Sequence, residues 1–552
     1  MSKNISDLSG RKGLNQNLFE KVSEAASGKK LDNYDVEKLS EDFLVGKANI
    51  VGTATFYDFL KPENQGKKIY VCNGSACLTA GTQNVLKDKI SKHFSDEETG
   101  EMCCLGRCHE NSAFNINGKN YSGNDIENID NIIKSNTLTN EKYNVSSSGI
   151  KILTSQCKPT QKYYEILKKC LEKKPEELLT ELKESKLRGR GGAGFPIWFK
   201  LDTCMKENSP VKYIVCNADE GDPGAYSDRY ILENQTHLLL LGMLIAGYIV
   251  NATDGVIYIR AEYPESVQSV EKAVEELKNL KITGNNIFNS NFSFNFKIIK
   301  AQGAYICGEE TALLSSIEGQ RPEVRVRPPY PTQFGLFNKP TIVNNVETLA
   351  NLPFIFENGG KTFAGIGTEK TSGTKLVSLD GWFNNPGIYE VEMGTPLQNV
   401  VYTLGGGFKK PVKALHIGGP LGGLVPVNKI NDLTVDFESF SQNGFLLGHA
   451  SVVCIPEDFK LIEYINHLFK FTAHESCGKC FPCRLGSIRG WEMIEKSINN
   501  NYKIDYTLMD DLLETMEKAS LCALGGGLPL PVKNALKYFK TELSPYFINF
   551  ND

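Results

Sequence analysis

Apolar residues recur at helical spacing in residues 14–26 (LNQNLFEKVSEAA) and 33–44 (NYDVEKLSEDFL), which predicts a small helical entry region over 1–66. Residues 67–72 (KKIYVC) then read as a strand, 81–94 as a helix and 114–121 (FNINGKNY) as a hairpin about Asn117-Gly118, giving a compact α/β module over 67–130. Residues 131–150 are rich in Asn, Ser and Thr and lack an apolar period, as expected of a linker. From 151 to 370, strands such as 212–216 (KYIVC) and 255–260 (GVIYIR) alternate with helices, the pattern of an α/β domain. Short strands and glycines over 371–455 predict a small β domain, and the pattern turns helical over 456–552. The most apolar stretch, 237–250 (HLLLLGMLIAGYIV), carries two glycines and falls short of the roughly 20 residues of a membrane span. It is expected to be a buried helix. The fold class expected is therefore multidomain α/β.

Composition narrows the function. Lys plus Arg number 61 against 65 Asp plus Glu, a net charge of −4, which disfavours nucleic acid as a partner. The polar, amphipathic start lacks the apolar core of a signal peptide, so a cytoplasmic location is expected. Without an export signal, 15 cysteines point to metal ligands or buried thiols rather than a disulfide framework.

Two groups of cysteines carry chemistry. Cys477, Cys480 and Cys483 form C-x2-C-x2-C, and Cys522 follows in SLCALGGG. Three thiolates at that spacing wrap three corners of a 4Fe-4S cube while a distant loop supplies the fourth, whereas zinc favours paired C-x2-C knuckles. No proline follows Cys522, unlike the bacterial ferredoxin run. In the N-terminal module, Cys72 and Cys77 (C-x4-C) and Cys104 and Cys108 (C-x3-C) make two pairs, a set that suits either 2Fe-2S or zinc. Spacing leaves Cys103 and Cys104 interchangeable.

Three further segments are glycine-rich or acidic. RGRGGAGFP (188–196) satisfies G-x-G-x-x-G at Gly189, Gly191 and Gly194, but follows a helix rather than a strand, so a standard Rossmann dinucleotide site is rejected. Its glycines still let a backbone approach a flat ring or a phosphate. VCNADEGDPGAY puts Asn217, Asp219, Glu220 and Asp222 after a strand, as ribose or flavin contacts or as a solvated turn. GAYICGEETALL opens a helix at Glu309 and Glu310, where capping suffices as an explanation. Cys307 within it reads equally well as a buried thiol.

Together LRGRGGAGFP, YIVCNADEGDPG, GAYICGEETALL, NNVETLAN, ESCGKCFPCRLG and SLCALG resemble the NADH-binding flavoprotein subunit of respiratory complex I. GTATFYDF, VCNGSACL and CLGRC resemble its thioredoxin-like 2Fe-2S partner, here fused at the N-terminus. The resemblance implies a thioredoxin-like 2Fe-2S domain, a Rossmann-like FMN and NAD(H) domain, a ubiquitin-like β domain over 371–455 and a helical 4Fe-4S domain. It implies FMN contacts from Gly189, Arg190, Gly191, Lys200, Asn217, Asp219, Glu220, Tyr305, Gly308, Glu309, Val343, Asn344, Asn345 and Thr348. Glu310 falls where nicotinamide and flavin meet, Asp222 near the adenosine ribose, and Phe195 and Tyr330 at aromatic contacts to NAD(H). CLGRC selects Cys104 over Cys103 and places iron above zinc.

The expected activity is hydride exchange between NAD(H) and FMN with single electrons passed to the clusters. Fusion of the two parts resembles soluble NAD-linked hydrogenases, formate dehydrogenases and electron-bifurcating complexes, which implies further Fe-S subunits, a hydrogenase or formate dehydrogenase catalytic subunit, or ferredoxin as partners. The Ser-rich segment would let the 2Fe-2S domain swing between acceptors. Competing readings are a non-catalytic iron-sulfur relay or redox sensor, and a zinc-stapled scaffold.

Overall fold

The computed structural model describes residues 13–27, 31–135, 141–500 and 502–550. In the N-terminal module, strands β1 (Ile69–Cys72), β2 (Thr99–Met102), β3 (Phe114–Ile116) and β4 (Lys119–Tyr121) form one sheet in the order β2-β1-β3-β4. β1 runs parallel to β2 and antiparallel to β3. The β3–β4 hairpin turns at Asn117 (φ 49°) and Gly118 (φ 79°), both left-handed as a two-residue type I′ turn requires.

The segment expected to be a linker is only partly one. Helix Ile129–Ser135 extends into it, and Asn144–Ser148 forms a strand, β5.

The central domain is built on four parallel strands, β6 (Tyr213–Ala218), β7 (Asp254–Ile259), β8 (Asn295–Lys300) and β9 (Thr341–Asn345), in the order β8-β7-β6-β9. Successive side chains on a strand face opposite ways, and both faces are covered. Ile214, Cys216, Ile257 and Ile342 pack with helix Thr236–Val250, the expected buried helix. A Cβ on its Gly242 would lie 2.0 Å from the Leu349 carbonyl oxygen, so glycine is what lets this helix touch helix Val346–Ala350. On the other face Val215, Val256, Tyr258 and Val343 meet the N-terminal helices Leu18–Ala26, Asn33–Phe43 and Lys47–Ala54. The entry region is thus a layer of the central domain, tied to it by the Tyr57 hydroxyl donating to Ser316 Oγ at 2.7 Å.

The β-rich domain contributes β10 (Thr374–Leu379), β11 (Gly387–Glu392), β12 (Val412–Ile417), β13 (Gly423–Pro426) and β14 (Ser451–Pro456). Its sheet order is β13-β12-β14-β10-β11-β5, so the supposed linker supplies an edge strand, parallel to β11. Helices Leu461–Glu475, Phe481–Asn499, Tyr506–Ala519 and Pro529–Tyr538 then pack around Ile465, Leu468, Phe469, Leu513 and Met516. Among the described residues no helix is long and apolar enough to cross a membrane.

The N-terminal module is docked against the rest of the molecule. Buried Arg107 and Arg229 both pair with the Glu141 carboxylate, and His109 Nε2 lies 3.0 Å from it. Arg260 donates to the carbonyls of Cys103 and Cys104 at 3.1 and 3.0 Å. The Gly381 amide of the β-rich domain donates to the Cys108 carbonyl at 2.9 Å, and Ser75 meets His467 of the C-terminal domain at 3.1 Å. Three other parts of the molecule therefore hold the module.

Candidate functional site

A parallel sheet ordered β8-β7-β6-β9 reverses its winding between β6 and β9, and ligands enter such folds at the carboxyl ends of the strands flanking that reversal. A cleft of about 360 Å³ opens there. Of the residues expected from the sequence, Gly191, Asn217, Asp219, Glu220, Asp222, Tyr305, Gly308, Glu309 and Asn345 line it. The glycines are there for closeness. A Cβ on Gly191 would lie 2.9 Å from Asn345 Cβ, and one on Gly221 would lie 2.7 Å from the Tyr305 ring.

The glycine loop is closed by the Gly189 amide donating to the Phe195 carbonyl at 2.8 Å, with Gly194 at φ 60°. Arg190 departs from its expected place. Its amide donates to Thr348 Oγ1 at 2.8 Å, but its guanidinium is wholly buried and donates to the Ser372 carbonyl, away from the cleft. Burial lowers its pKa to about 10.

The two glutamates of the GEET segment separate. Glu309 is the N-cap of helix Glu310–Ile317, accepting from the Thr311 and Ala312 amides at 2.9 Å each. Glu310 caps nothing; Lys200 Nζ lies 3.1 Å and Arg327 2.8 Å from its oxygens. Burial alone would raise its carboxyl, but Lys200 and then Arg327 outweigh burial and hold it below the ordinary range. Lys200 also donates to the Val343 carbonyl at 2.6 Å, fixing its ammonium between β9 and Glu310. Phe195 and Tyr330 are half exposed, at 49% and 53%, leaving ring faces free to stack on a flat ligand.

The cleft floor is acidic. Burial pushes Asp219 well above the carboxylate range, and burial with Asp228 beside it pushes Glu220 up to about 8. Asp222 is raised by burial too, and accepts from the Tyr305 hydroxyl at 2.6 Å. Asp219 Oδ2 and Asn344 Nδ2 are buried without a partner in the protein. Such groups fit a polar ligand that completes the site, and the glycine cradle fits a flat or phosphorylated one. Sequence reasoning missed Asp228, His449 and the 418–421 loop, which also line the cleft. Only the run IGGPLGG (417–423) hinted that the β-rich domain reaches it.

Both cysteine sets border this cleft. Cys104 is fully buried, with Sγ 3.7 Å from Cys108 Sγ and 3.9 Å from the Asp222 carbonyl oxygen; the Gly224 amide donates to Cys108 Sγ at 3.2 Å. Cys72 shares a hydrogen bond with Cys77, which holds its thiol at about 7 against the opposing effect of burial, and the Cys104 amide donates to Cys72 as well. Cys104 takes φ 56°, and the partly buried Cys103 lies between two apolar clusters, the one that holds Cys104 and Cys108 and the one that holds Cys477 and Cys483. The second set gathers where helix Phe481–Asn499 begins, and Cys522 itself lines the cleft. Burial pushes Cys483 up to about 11 and Cys522 up to about 12.

A fold of this order with an acidic glycine-walled cleft between two cysteine sets defines a flavin and iron-sulfur protein. Residues 182–354 match the Nuo51 FMN-binding domain, 463–546 the NADH-ubiquinone oxidoreductase-F iron-sulfur binding region, and 17–137 the thioredoxin-like [2Fe-2S] ferredoxin. The NADP-reducing hydrogenase subunit HndC of Solidesulfovibrio fructosivorans is 41% identical over 382 residues, 69% of this chain and 78% of that one. The mitochondrial NADH dehydrogenase [ubiquinone] flavoprotein 1 of Dictyostelium discoideum is 37% identical over 384 residues, 68% of this chain and 80% of that one. The crystal structure of an air-oxidised NAD+-reducing [NiFe]-hydrogenase superposes with a TM-score of 0.85 at 28% identity, covering 96% of this chain and 93% of the other. The chain belongs to the family of NADH-binding FMN and iron-sulfur flavoproteins that serve complex I and NAD-linked hydrogenases. Its FMN-binding, 2Fe-2S and 4Fe-4S domains are all present.

Proposed function

We propose that the chain is the NAD(H)-handling subunit of a larger cytoplasmic redox complex, exchanging hydride between NAD(H) and FMN and passing single electrons to a 2Fe-2S and a 4Fe-4S cluster. The observation that carries this reading is the position of both cysteine sets: Cys522 lines the cleft, and Cys104 and Cys108 press on the loop Asp222 to Gly224 that forms its wall. When bound, FMN supplies the conversion between two-electron and one-electron transfer. Gly191, Asn217, Asp219, Asn344 and Asn345 hold it, with Gly308 and Thr348 supporting the loops around them. Glu310, kept ionised by Lys200 and Arg327, faces the nicotinamide side, and Phe195 and Tyr330 offer rings to the adenine. Cys72, Cys77, Cys104 and Cys108 ligate the 2Fe-2S cluster, and Cys477, Cys480, Cys483 and Cys522 the 4Fe-4S cluster.

Two clusters of different type beside one flavin provide two exits for electrons, which suits electron bifurcation when a partner subunit carries a hydrogenase or formate dehydrogenase centre and ferredoxin is the second acceptor. The test begins with the isolated chain, in which metal and flavin analysis should find about six irons and one FMN per chain. NADH should reduce artificial dyes with the chain alone, and a physiological acceptor only within the co-purified complex. Stoichiometric zinc with little iron would refute the reading, and full physiological turnover by the chain alone would refute its role within a larger complex.

A further inference from the structure

Asp219, Glu220, Asp222, Asp228 and Glu309 line the cleft, and no lysine or arginine does; among the described residues that line it, His449 is the one side chain able to carry positive charge. A phosphomonoester brings about −1.5 to −2 charges of its own. An anion cannot settle in such a wall unless nearby carboxylates are neutralised.

His449 stands where that is done. It comes from the β-rich domain, after Gly448 at φ 55°, and its amide nitrogen lies 3.9 Å from where a Gly192 Cβ would be, so it closes over the glycine loop. Its Nε2 is 3.2 Å from Asp228 Oδ2, and its Nδ1 is 3.7 Å from Glu220 Oε1 and 3.4 Å from Ser227 Oγ. Asp228 Oδ2 also accepts from Asn345 Nδ2 at 2.5 Å, while Asp228 Oδ1 is buried without a partner. The same three side chains have the spacing of a metal site. Both oxygens of Glu220, however, are already engaged, by Ser227, the Asp228 and Arg229 amides and the Tyr263 hydroxyl, which leaves no free ligand atom there for an ion.

We propose that His449 is a positioning residue for the flavin phosphate: as imidazolium it cancels the charge on Asp228, so that the amides of residues 191–193 and the Asn345 side chain receive the anion. The inference rests on the reading of this cleft as the FMN site. Its charge state agrees with the geometry. Burial lowers the imidazole, but Asp228 outweighs it with help from Glu220 and against Lys375, leaving a pKa of about 9. Asp222 also feels this charge. The imidazolium is therefore present at neutral pH and lost as pH rises through about 9.

The test measures FMN release from the full-length holoprotein by fluorescence between pH 7 and 10, with absorbance of both clusters as the measure of an intact fold. Wild type should hold FMN at pH 7 and release it as pH passes about 9. His449→Gln should bind FMN at least tenfold more weakly at pH 7 and show no such step. Adding Asp228→Asn to His449→Gln should recover affinity, because the charge needing an answer is gone. Unchanged FMN affinity in His449→Gln, or no recovery in the double variant, overturns the proposal. Should His449→Gln lose its clusters, Asp228→Asn alone decides: FMN should then be held through pH 9 without a release step, and an unmoved step overturns the proposal. Wild-type protein that carries both clusters and binds no FMN sinks the flavin reading itself, and this inference with it.

Discussion

Adjacent residues of one motif do different work here, and single substitutions should show it. Cys104 is fully buried beside Cys108, while Cys103 is only partly buried, between that cluster and the one holding the C-terminal cysteines. Cys104→Ser should abolish the 2Fe-2S signal in electron paramagnetic resonance, and Cys103→Ser should keep it; the reverse pattern would reassign the ligand. Glu309 and Glu310 divide likewise. Removing the Glu309 cap with Glu309→Ala should cost about 1 kcal/mol, read as a lowered melting temperature. Glu310→Gln should leave stability, FMN and iron intact while slowing NADH-dependent dye reduction on the order of 100-fold, since it unsettles Lys200 and Arg327 at the nicotinamide side. An unchanged rate would remove Glu310 from the site. The cysteine sets stood out in the sequence by local spacing, which left Cys103 and Cys104 interchangeable, whereas for both glutamates the residues alone offered capping and the site roles came from the resemblance. Asp228 and His449 were not legible, since they lie 221 positions apart and meet only when the β-rich domain folds onto the cleft.

At the scale of elements, a continuous apolar run made helix Thr236–Val250 easy to read, but its glycines only looked like weak points for a helix. They are contact points. Gly242→Ala would drive a methyl group into the Leu349 carbonyl, with overpacking worth about 1–3 kcal/mol and a displaced helix Val346–Ala350. The expected result is a lower melting temperature together with reduced FMN content, because Asn345 and Thr348 sit at the start of that helix. Strand β5 escaped sequence reading for the opposite reason. Its sequence, NVSSS, is exposed or half-exposed along its length, so it shows none of the apolar alternation that burial writes into a strand. Backbone pairing to β11 defines it.

Across the whole molecule, several joints run through buried groups whose protonation matters. His416 is buried against the Tyr464 hydroxyl at 2.7 Å, and burial depresses its pKa to about 4. His467, at the joint with Ser75, is depressed by burial to about 4 as well. A group depressed in the folded state lets the unfolded chain take the proton first. The contribution of these two histidines is therefore complete above about pH 6.5 and is lost as pH drops toward 4, by on the order of 3 kcal/mol for His416. Denaturant titrations at pH 7 and pH 5 should show His416→Phe losing less stability between the two than wild type, with the share of His467 remaining. The docking itself was hidden from sequence, because Glu141 gains its meaning only from Arg107 and Arg229, which converge on it from separate parts of the chain.

The edge strand β5 also governs what the protein becomes when cut. A chain begun at residue 151 would still contain the flavin cleft and the C-terminal cysteines, but the backbone of β11 would lie open from Gly387 to Val391, where β5 now pairs. Open strands invite one another, and two such chains pairing edge to edge would bury the exposed amides in self-association. Both this form and one starting at residue 141 lose the N-terminal helices that cover the central sheet, but only the shorter form also loses the cover strand, so it should precipitate at the lower concentration of the two.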